Sequence, residues 1–118
     1  MYKLTAKEEE IMSFFWEKGP AFVREIVEHY PDPKPHFNTI STMVRALEER
    51  GFLSHKNFGS TYQYYPVVSA EDFRKGKLSG LVSKYFDNSY LGVVSTLVKE
   101  EKIPVEELKR LIEEIEKS

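Results

Sequence analysis

The clearest hydrophobic pattern lies between residues 36 and 51, in the sequence HFNTISTMVRALEERG. Apolar side chains recur there at i, i+3, i+4 and i+7, a spacing that predicts an α-helix with one buried stripe. They are Ile40, Met43, Val44 and Leu47. The opposite face is polar and consists of Asn38, Ser41, Thr42 and Arg45, with Glu48 and Glu49 only in the last turn. Gly51 is expected to end this helix, because glycine adopts the left-handed C′ conformation without steric strain.

Two further helices are predicted ahead of this segment. Thr5 and Glu8 have the spacing of a capping box, and the helix that they open is expected to stop at Gly19. A short extended segment at 21–23 leads into a second helix, Val23–Tyr30. The apolar residues of the first helix are assigned to the core; they are Ile11, Met12, Phe14, Phe15 and Trp16.

Three prolines between residues 31 and 35 exclude a helix there. Pro35 is expected at the first position of the 36–51 helix, where a missing N–H has no consequence.

A β-hairpin is predicted after Gly51. Two β-prone runs, 52–56 and 61–66, flank a segment that contains asparagine and glycine. Tyr62 and Tyr64 alternate and are expected on one face of the hairpin. A helix-turn-helix followed directly by a hairpin is the winged-helix arrangement, so the expected fold class is mainly α (α+β), with a winged-helix domain over residues 1–68.

Three amphipathic helices are predicted over residues 69–118. About fifty residues of amphipathic helix enclose little core by themselves, so this region is expected to pair with a second copy as a homodimer. The alternative is that the helices fold back on the first domain of a monomer. The residues assigned to dimerisation are Leu81, Val82, Tyr85, Leu91, Val94, Leu97, Val98, Leu108, Leu111, Ile112 and Ile115.

Charge is distributed unevenly along this chain of 118 residues with a net charge of −2. Residues 1–32 carry four basic and seven acidic side chains, a net of −3, whereas residues 33–68 carry four basic and two acidic, a net of +2. A local positive patch on an acidic protein is compatible with DNA binding of modest affinity per subunit and strong salt dependence.

Patterns for other chemistry are absent from the sequence. It contains no cysteine, no HExxH, no GxSxG and no phosphate-binding glycine loop, so neither catalysis nor a metal or cofactor is expected. No apolar run approaches the ~20 residues needed to span a bilayer and no signal-peptide pattern is present, so membrane insertion is not expected and the expected location is the cytoplasm.

The polar face of the 36–51 helix suits the major groove of double-stranded DNA, although an ordinary surface helix is the simpler alternative. Contacts are expected from the first two turns, between about His36 and Arg45. Phe37 either contacts a thymine methyl group or packs under the second helix. The hairpin tip is expected to contact the phosphate backbone beside the groove, or else to be a solvated turn. Its candidate residues are Lys56, Asn57, Ser60 and Thr61.

Over nearly its full length the chain resembles the penicillinase-repressor family of bacterial regulators, of BlaI/MecI/CopY type. The features that carry the resemblance are LTAKEEEIMSFFW, REIVEHY, NTISTMVRALEERGFL, YQYYP and the tail from Leu81 to Ile115. The resemblance implies a homodimeric winged-helix transcriptional repressor on a palindromic operator, typically ahead of an antibiotic-resistance operon.

Position by position, the resemblance places Thr39 and Thr42 at the threonines of the family's recognition helix. Asn38 stands where relatives often have lysine, and Ser41 where arginine can occur, while Arg45 lies one turn further along. These departures weaken the basic character of the DNA-facing surface, so the operator sequence of relatives does not transfer.

The resemblance also implies an off-switch. In the penicillinase branch, a membrane sensor of β-lactams triggers proteolysis within the C-terminal helices, and the matching bond here is near Thr96–Leu97. The copper-responsive branch needs C-terminal cysteines, which this chain lacks.

Two other functions fit the residues. The first is a ligand-sensing regulator with a pocket between the head and the dimer helices, lined by Tyr65, Tyr85 and Tyr90. The second is a winged-helix protein-interaction module without DNA binding, with which the acidic character of the chain is consistent.

Overall fold

The computed structural model describes residues 3–117; Met1, Tyr2 and Ser118, at the outer ends of the two expected domains, lie outside the described residues. The described part contains the six helices and the hairpin that the sequence predicted, and the short extended segment joins the hairpin in one three-stranded antiparallel sheet. In chain order they are α1 (Ala6–Lys18), β1 (Ala21–Phe22), α2 (Val23–His29), α3 (Phe37–Glu49), β2 (Leu53–Phe58), β3 (Thr61–Pro66), α4 (Ala70–Tyr85), α5 (Tyr90–Lys99) and α6 (Val105–Lys117).

The capping box predicted for α1 is present and is extended by an ion pair. The Glu8 amide donates to Thr5 Oγ1 at 3.2 Å, and the Thr5 amide donates to Glu8 Oε1 at 2.9 Å. Arg50, just beyond α3, donates from Nη1 to both carboxylate oxygens of Glu8 at 3.1 Å. The Thr5 hydrogen bond, and then Arg50, hold the pKa of Glu8 below its ordinary value of 4.5, against the opposing effect of burial.

This lowered pKa predicts a pH-dependent contribution to stability. The carboxylate stabilises the fold above its unfolded-state pKa, and the contribution is lost as the pH falls through the folded-state pKa. Glu8→Gln is therefore expected to lower the free energy of unfolding by about 1 kcal/mol at neutral pH and by much less near pH ~3. Urea unfolding at both pH values measures this, with Glu9→Gln, an exposed neighbour, as the control. An equal loss at both pH values would contradict the assignment.

The prediction for the end of α3 is confirmed, whereas the one for its start is wrong. Gly51 has a φ of +86° at C′. Its amide donates to the Glu48 carbonyl at 3.0 Å, and the Phe52 amide donates to the Leu47 carbonyl at 2.9 Å, which is the Schellman pattern. At the other end His36 is the N-cap, with Nδ1 accepting from the Asn38 amide at 3.1 Å. Pro35 therefore precedes the cap and is not at the first helical position.

The sheet has the order β1–β3–β2, with β3 in the middle. β2 and β3 form the predicted hairpin, called the wing below, in which Phe58 pairs with Thr61 and Asn57 with Tyr62. Only Gly59 and Ser60 form the turn, and Gly59 has a positive φ of 61°. β2 therefore begins one residue later and ends two residues later than the predicted run 52–56, and Lys56 and Asn57, predicted at the hairpin tip, belong to the strand instead of the turn.

One core holds α1, α2, α3 and the sheet together. Its fully buried members come from α1, α2, α3 and β2, while Ala21 of β1 is 2% exposed and Tyr64 of β3 is 4% exposed. They include Phe15, Ile26, Val44, Leu47 and Leu53. Burial of this size dominates the stability of a domain, because each such side chain contributes about 1.5–3 kcal/mol when removed from water.

The first turns of α4 belong to the same compact unit. Trp16 Nε1 donates to the Val68 carbonyl at 2.9 Å, and the Trp16 ring packs on Phe73 with a centroid distance of 5.3 Å. The chain divides into two compact units between Gly76 and Lys77, inside α4, eight residues beyond the expected division at 68/69. The contact between Trp16 and Phe73 accounts for this difference.

The second unit comprises the rest of α4 with α5 and α6. Ser89 caps α5 by accepting from the Gly92 amide at 2.9 Å. Neither α5 nor α6 contains a buried side chain; Leu91 is 83% and Ile115 63% exposed. Val82 is the exception among the residues assigned to dimerisation, because it is fully buried within the chain itself and has no surface to offer a second copy. The assignment of Val82 to dimerisation stays a prediction that its burial in the single chain does not support.

Within residues 3–117, none of the helices is both long enough and apolar enough to cross a membrane.

Candidate nucleic-acid interface

The outward face of α3 is polar and open. With about 100° of rotation per residue, the centre of the buried stripe lies opposite Asn38, Thr42, Arg45 and Glu49. All four are exposed. Ile40, Val44 and Leu47 are buried on the other side and fix the rotation of the helix about its axis. Three of the predicted contact residues therefore share the central line of one exposed face.

The other predicted residues of α3 flank this line. Ser41 is half-buried on the side of the wing, where it lines a cleft with Thr61 and Tyr62. Thr39 is exposed on the opposite side, next to Pro33 and Pro35. His36 is exposed, but its Nδ1 is occupied by the cap hydrogen bond, which leaves Nε2 for any external contact.

The functional groups on the central line retain free hydrogen-bonding capacity. Thr42 Oγ1 donates to the Asn38 carbonyl at 2.8 Å, so its oxygen lone pairs and its methyl group point away from the helix backbone. Within residues 3–117, no carboxylate lies within 4.0 Å of the Arg45 guanidinium, which therefore keeps a positive charge free for an external acceptor. A guanidinium pairs well with guanine or phosphate, and a threonine methyl with the thymine methyl.

The wing is fastened to the C-terminal end of α3. Glu48 Oε2 lies 2.5 Å from Nδ1 of His55 in β2, and the His55 ring stacks on Tyr62 with a centroid distance of 4.1 Å. Tyr64 lies beneath, and burial, followed by the nearby Glu48 carboxylate, raises the pKa of its hydroxyl above the ordinary value of 10. The sequence placed Glu48 only in the last turn of the polar face of the helix, and the folded chain brings it to His55.

The predicted tip residues do not all face the same way. His55, Tyr62 and Tyr64 lie on the face of the wing that contacts α3. Lys56 follows His55 in the strand and therefore lies on the other face, beside Gln63 and Tyr65. Asn57 is on the α3 side, and Ser60 in the turn and Thr61 at the start of β3 are exposed and line a cleft with Ser41. The wing therefore brings Asn57, Ser60 and Thr61 towards α3, but not Lys56.

A cleft of about 450 Å³ separates α2, α3 and the wing. Phe37 lines it and is 50% exposed, so it is not packed away under α2. Arg24, from the first turn of α2, lines the same cleft; sequence analysis had not assigned it any role.

A helix-turn-helix with an open polar second helix, followed by a hairpin that packs against that helix, defines a winged-helix protein. The chain belongs to the penicillinase repressor family, whose model matches residues 4–117. The resemblance in the sequence is thereby confirmed, and the family is one of transcriptional regulators instead of enzymes.

Curated relatives agree with this family. The chain is 25% identical over 111 residues to the methicillin resistance regulatory protein MecI of Staphylococcus aureus (strain N315), covering 93% of this chain and 90% of the relative. It is 26% identical over 113 residues to the MecI protein of Mammaliicoccus sciuri, with the same coverage.

Proposed function

We propose that the protein is a homodimeric repressor that binds a palindromic operator in double-stranded DNA through α3 and acts in the cytoplasm. The observation that carries this proposal is the open polar line of Asn38, Thr42 and Arg45 on a helix whose other side is locked in the core. Such a line presents hydrogen-bonding groups at a fixed angle, which base recognition in the major groove requires.

The length of α3 limits which residues contact bases. Asn38 and Arg45 are seven residues apart, or about 10 Å along the axis, which fits a major groove about 12 Å wide. Glu49 lies a further turn along the same face. With the N-terminal half of α3 in the groove, Glu49 projects beyond the phosphates and Glu48 is held by His55. Base contacts therefore come from Asn38, Thr42 and Arg45, with Thr39, Ser41 and His36 at the edges.

The apolar stripes of the second unit support a homodimer. Leu111, Ile112 and Ile115 of α6 are each about half exposed or more, and they lie on one face of the helix. A second copy would cover these side chains and would join two DNA-binding heads. The other side chains proposed to be covered are Leu81, Tyr85, Leu91, Val94, Leu97, Val98 and Leu108. Two heads offset the modest positive charge of each one, because their binding free energies combine on a two-fold symmetric operator.

The relatives named for methicillin resistance suggest which genes are regulated. A repressor of this family that resembles them at about 25% identity is expected to control a β-lactam-resistance operon or a related one. A membrane sensor that acts through proteolysis is the corresponding partner.

DNA binding by the unaltered protein tests the proposal. In an electrophoretic shift assay, duplex from upstream of the gene should be bound in the presence of excess random competitor, and the affinity should fall steeply between low and moderate salt. Equal displacement by the random duplex at every salt concentration would refute sequence-specific repression and leave a protein-interaction module as the better description.

Proteolytic inactivation is proposed at Thr96–Leu97, inside α5. Thr96 is exposed, Leu97 is half-buried, and α5 contains no fully buried side chain, so local opening of this helix exposes few apolar contacts. Cleavage there would separate α6 from the head. Mass spectrometry of the protein from β-lactam-treated host cells should find a fragment that ends at Thr96. Detection of the intact chain alone, in cells in which the operon is induced, would contradict this switch.

A further inference from the structure

The cleft between α2, α3 and the wing has walls of distinct chemistry. Arg24 contributes the guanidinium from α2 and Ser41 a hydroxyl from α3. The wing contributes two more hydroxyls, from Ser60 in the turn and from Thr61 at the start of β3. Phe37, which is 50% exposed, supplies an apolar ring to the lining of the cleft. A cation, three hydroxyl donors and one apolar surface thus converge from three separate elements.

The charge of Arg24 is available to a ligand. Its side chain is exposed, and across residues 3–117 no carboxylate lies within 4.0 Å of its guanidinium. The adjacent acid, Glu25, does not neutralise the cleft by pairing with Arg24, because its Oε1 accepts from the Phe22 amide at 2.8 Å. An unpaired guanidinium beside hydroxyl donors favours an anion with several oxygen acceptors.

The cleft also borders the DNA-facing surface. Ser41 and Phe37 lie on the flank of α3 nearest the wing, adjacent to the line of Asn38, Thr42 and Arg45. When that line occupies a major groove, the sugar–phosphate backbone at one edge of the groove passes over this flank. A phosphodiester offers one negative charge, two acceptor oxygens and an apolar sugar face, which match the guanidinium, the hydroxyls and Phe37.

We propose that this cleft binds a DNA backbone phosphate, with Arg24 as the cation that pairs with it and Phe37 against the adjoining deoxyribose. The inference rests on the proposed function and adds to it a contact that fixes the position of the head without selecting sequence. It also assigns Phe37 a sugar contact, which differs from both a thymine contact and a core position.

Arg24→Ala and Arg24→Lys test this site against the upstream duplex and a random duplex of equal length. Because a phosphate contact carries no sequence information, Arg24→Ala should weaken binding to both duplexes by about 3- to 10-fold. It should also reduce the salt slope, the dependence of log affinity on log salt concentration, by about two, or about one for each subunit of the proposed dimer. Arg24→Lys should restore the salt slope, since lysine keeps the charge. Arg110→Ala, which removes the same side chain from α6, is the matched control and should leave the salt slope unchanged.

The outcomes separate the cleft from the wider proposal. If Arg24→Ala behaves like Arg110→Ala while the unaltered protein binds its upstream duplex, the phosphate site is refuted and the repressor proposal stands. A loss confined to the upstream duplex would also overturn the phosphate site, since it would indicate a base contact. Absence of binding by the unaltered protein would refute the proposed function itself. Circular dichroism and melting temperature confirm that each variant is folded, as expected for an exposed residue.

Discussion

Ile112→Asp is expected to give a folded monomer that binds operator DNA poorly. Ile112 lies in the exposed stripe of α6, so one chain does not need it for its own core. In the proposed homodimer each copy would lose the burial of an isoleucine and would place a carboxylate against apolar side chains. The two copies together are expected to weaken the dimer by about 3–6 kcal/mol, or about 10²–10⁴-fold in its dissociation constant. Sedimentation equilibrium measures this directly.

Arg110→Asp is the control for that experiment. It introduces the same residue on the opposite side of α6 and makes the net charge more negative than Ile112→Asp does. The Arg110→Asp protein should therefore remain dimeric. If added negative charge alone weakened DNA binding, Arg110→Asp would weaken it at least as much as Ile112→Asp does. An Ile112→Asp protein that remains dimeric at micromolar concentration would contradict the assignment of α6 to the interface.

Arg45→Ala and Thr42→Ala are each expected to weaken binding to the upstream duplex by about 1–3 kcal/mol per site contacted. Arg45→Ala would remove a guanidinium that pairs with no carboxylate among residues 3–117, and Thr42→Ala would remove an acceptor oxygen and a methyl group. Binding to a random duplex should fall little for Thr42→Ala, because its side chain carries no charge. Titrations with both duplexes give the specificity ratio, which is the informative quantity.

Glu49→Ala is the matched control on the same face of α3. Since Glu49 lies one turn beyond Arg45, outside the proposed contact region, its removal should leave specificity unchanged and strengthen overall binding slightly by removing a negative charge. If Arg45→Ala and Thr42→Ala both bind as the unaltered protein does, α3 is not the element that contacts bases.

Local sequence signals predicted most of the fold, because the interactions behind them are local. The capping box of Thr5 and Glu8 and the C′ glycine at Gly51 each involve residues a few positions apart, and both are present in the structure. The i, i+3, i+4 and i+7 spacing gave the rotation of α3, since only one face of that helix can be buried. Pro35 was predicted at the first helical position but lies two positions before it. The reason is that His36 is the N-cap, and histidine is not among the residues preferred at that position.

The parts of the candidate site that sequence did not predict depend on contacts distant in the chain. Glu48 and His55 meet only after the wing folds back on α3, and Arg24 joins the cleft through the packing of α2 beside the turn of the wing. The face of Lys56 follows from the pairing of β2 with β3, in which Lys56 lies opposite Gln63, and a propensity pattern does not fix that register. Strand length and register, in contrast to helix rotation, are set by pairing across the sheet.

Methylation protection of guanine N7 on the upstream duplex tests the central claim most directly, because N7 lies in the major groove. Two copies of α3 in successive grooves predict two protected patches, related by two-fold symmetry and separated by about one helical turn of 10–10.5 base pairs or a multiple of it. Ile112→Asp should lose both patches at concentrations where the unaltered protein protects them. Binding without any protection at N7, or with a single patch, would contradict a dimer that inserts α3 into the major groove.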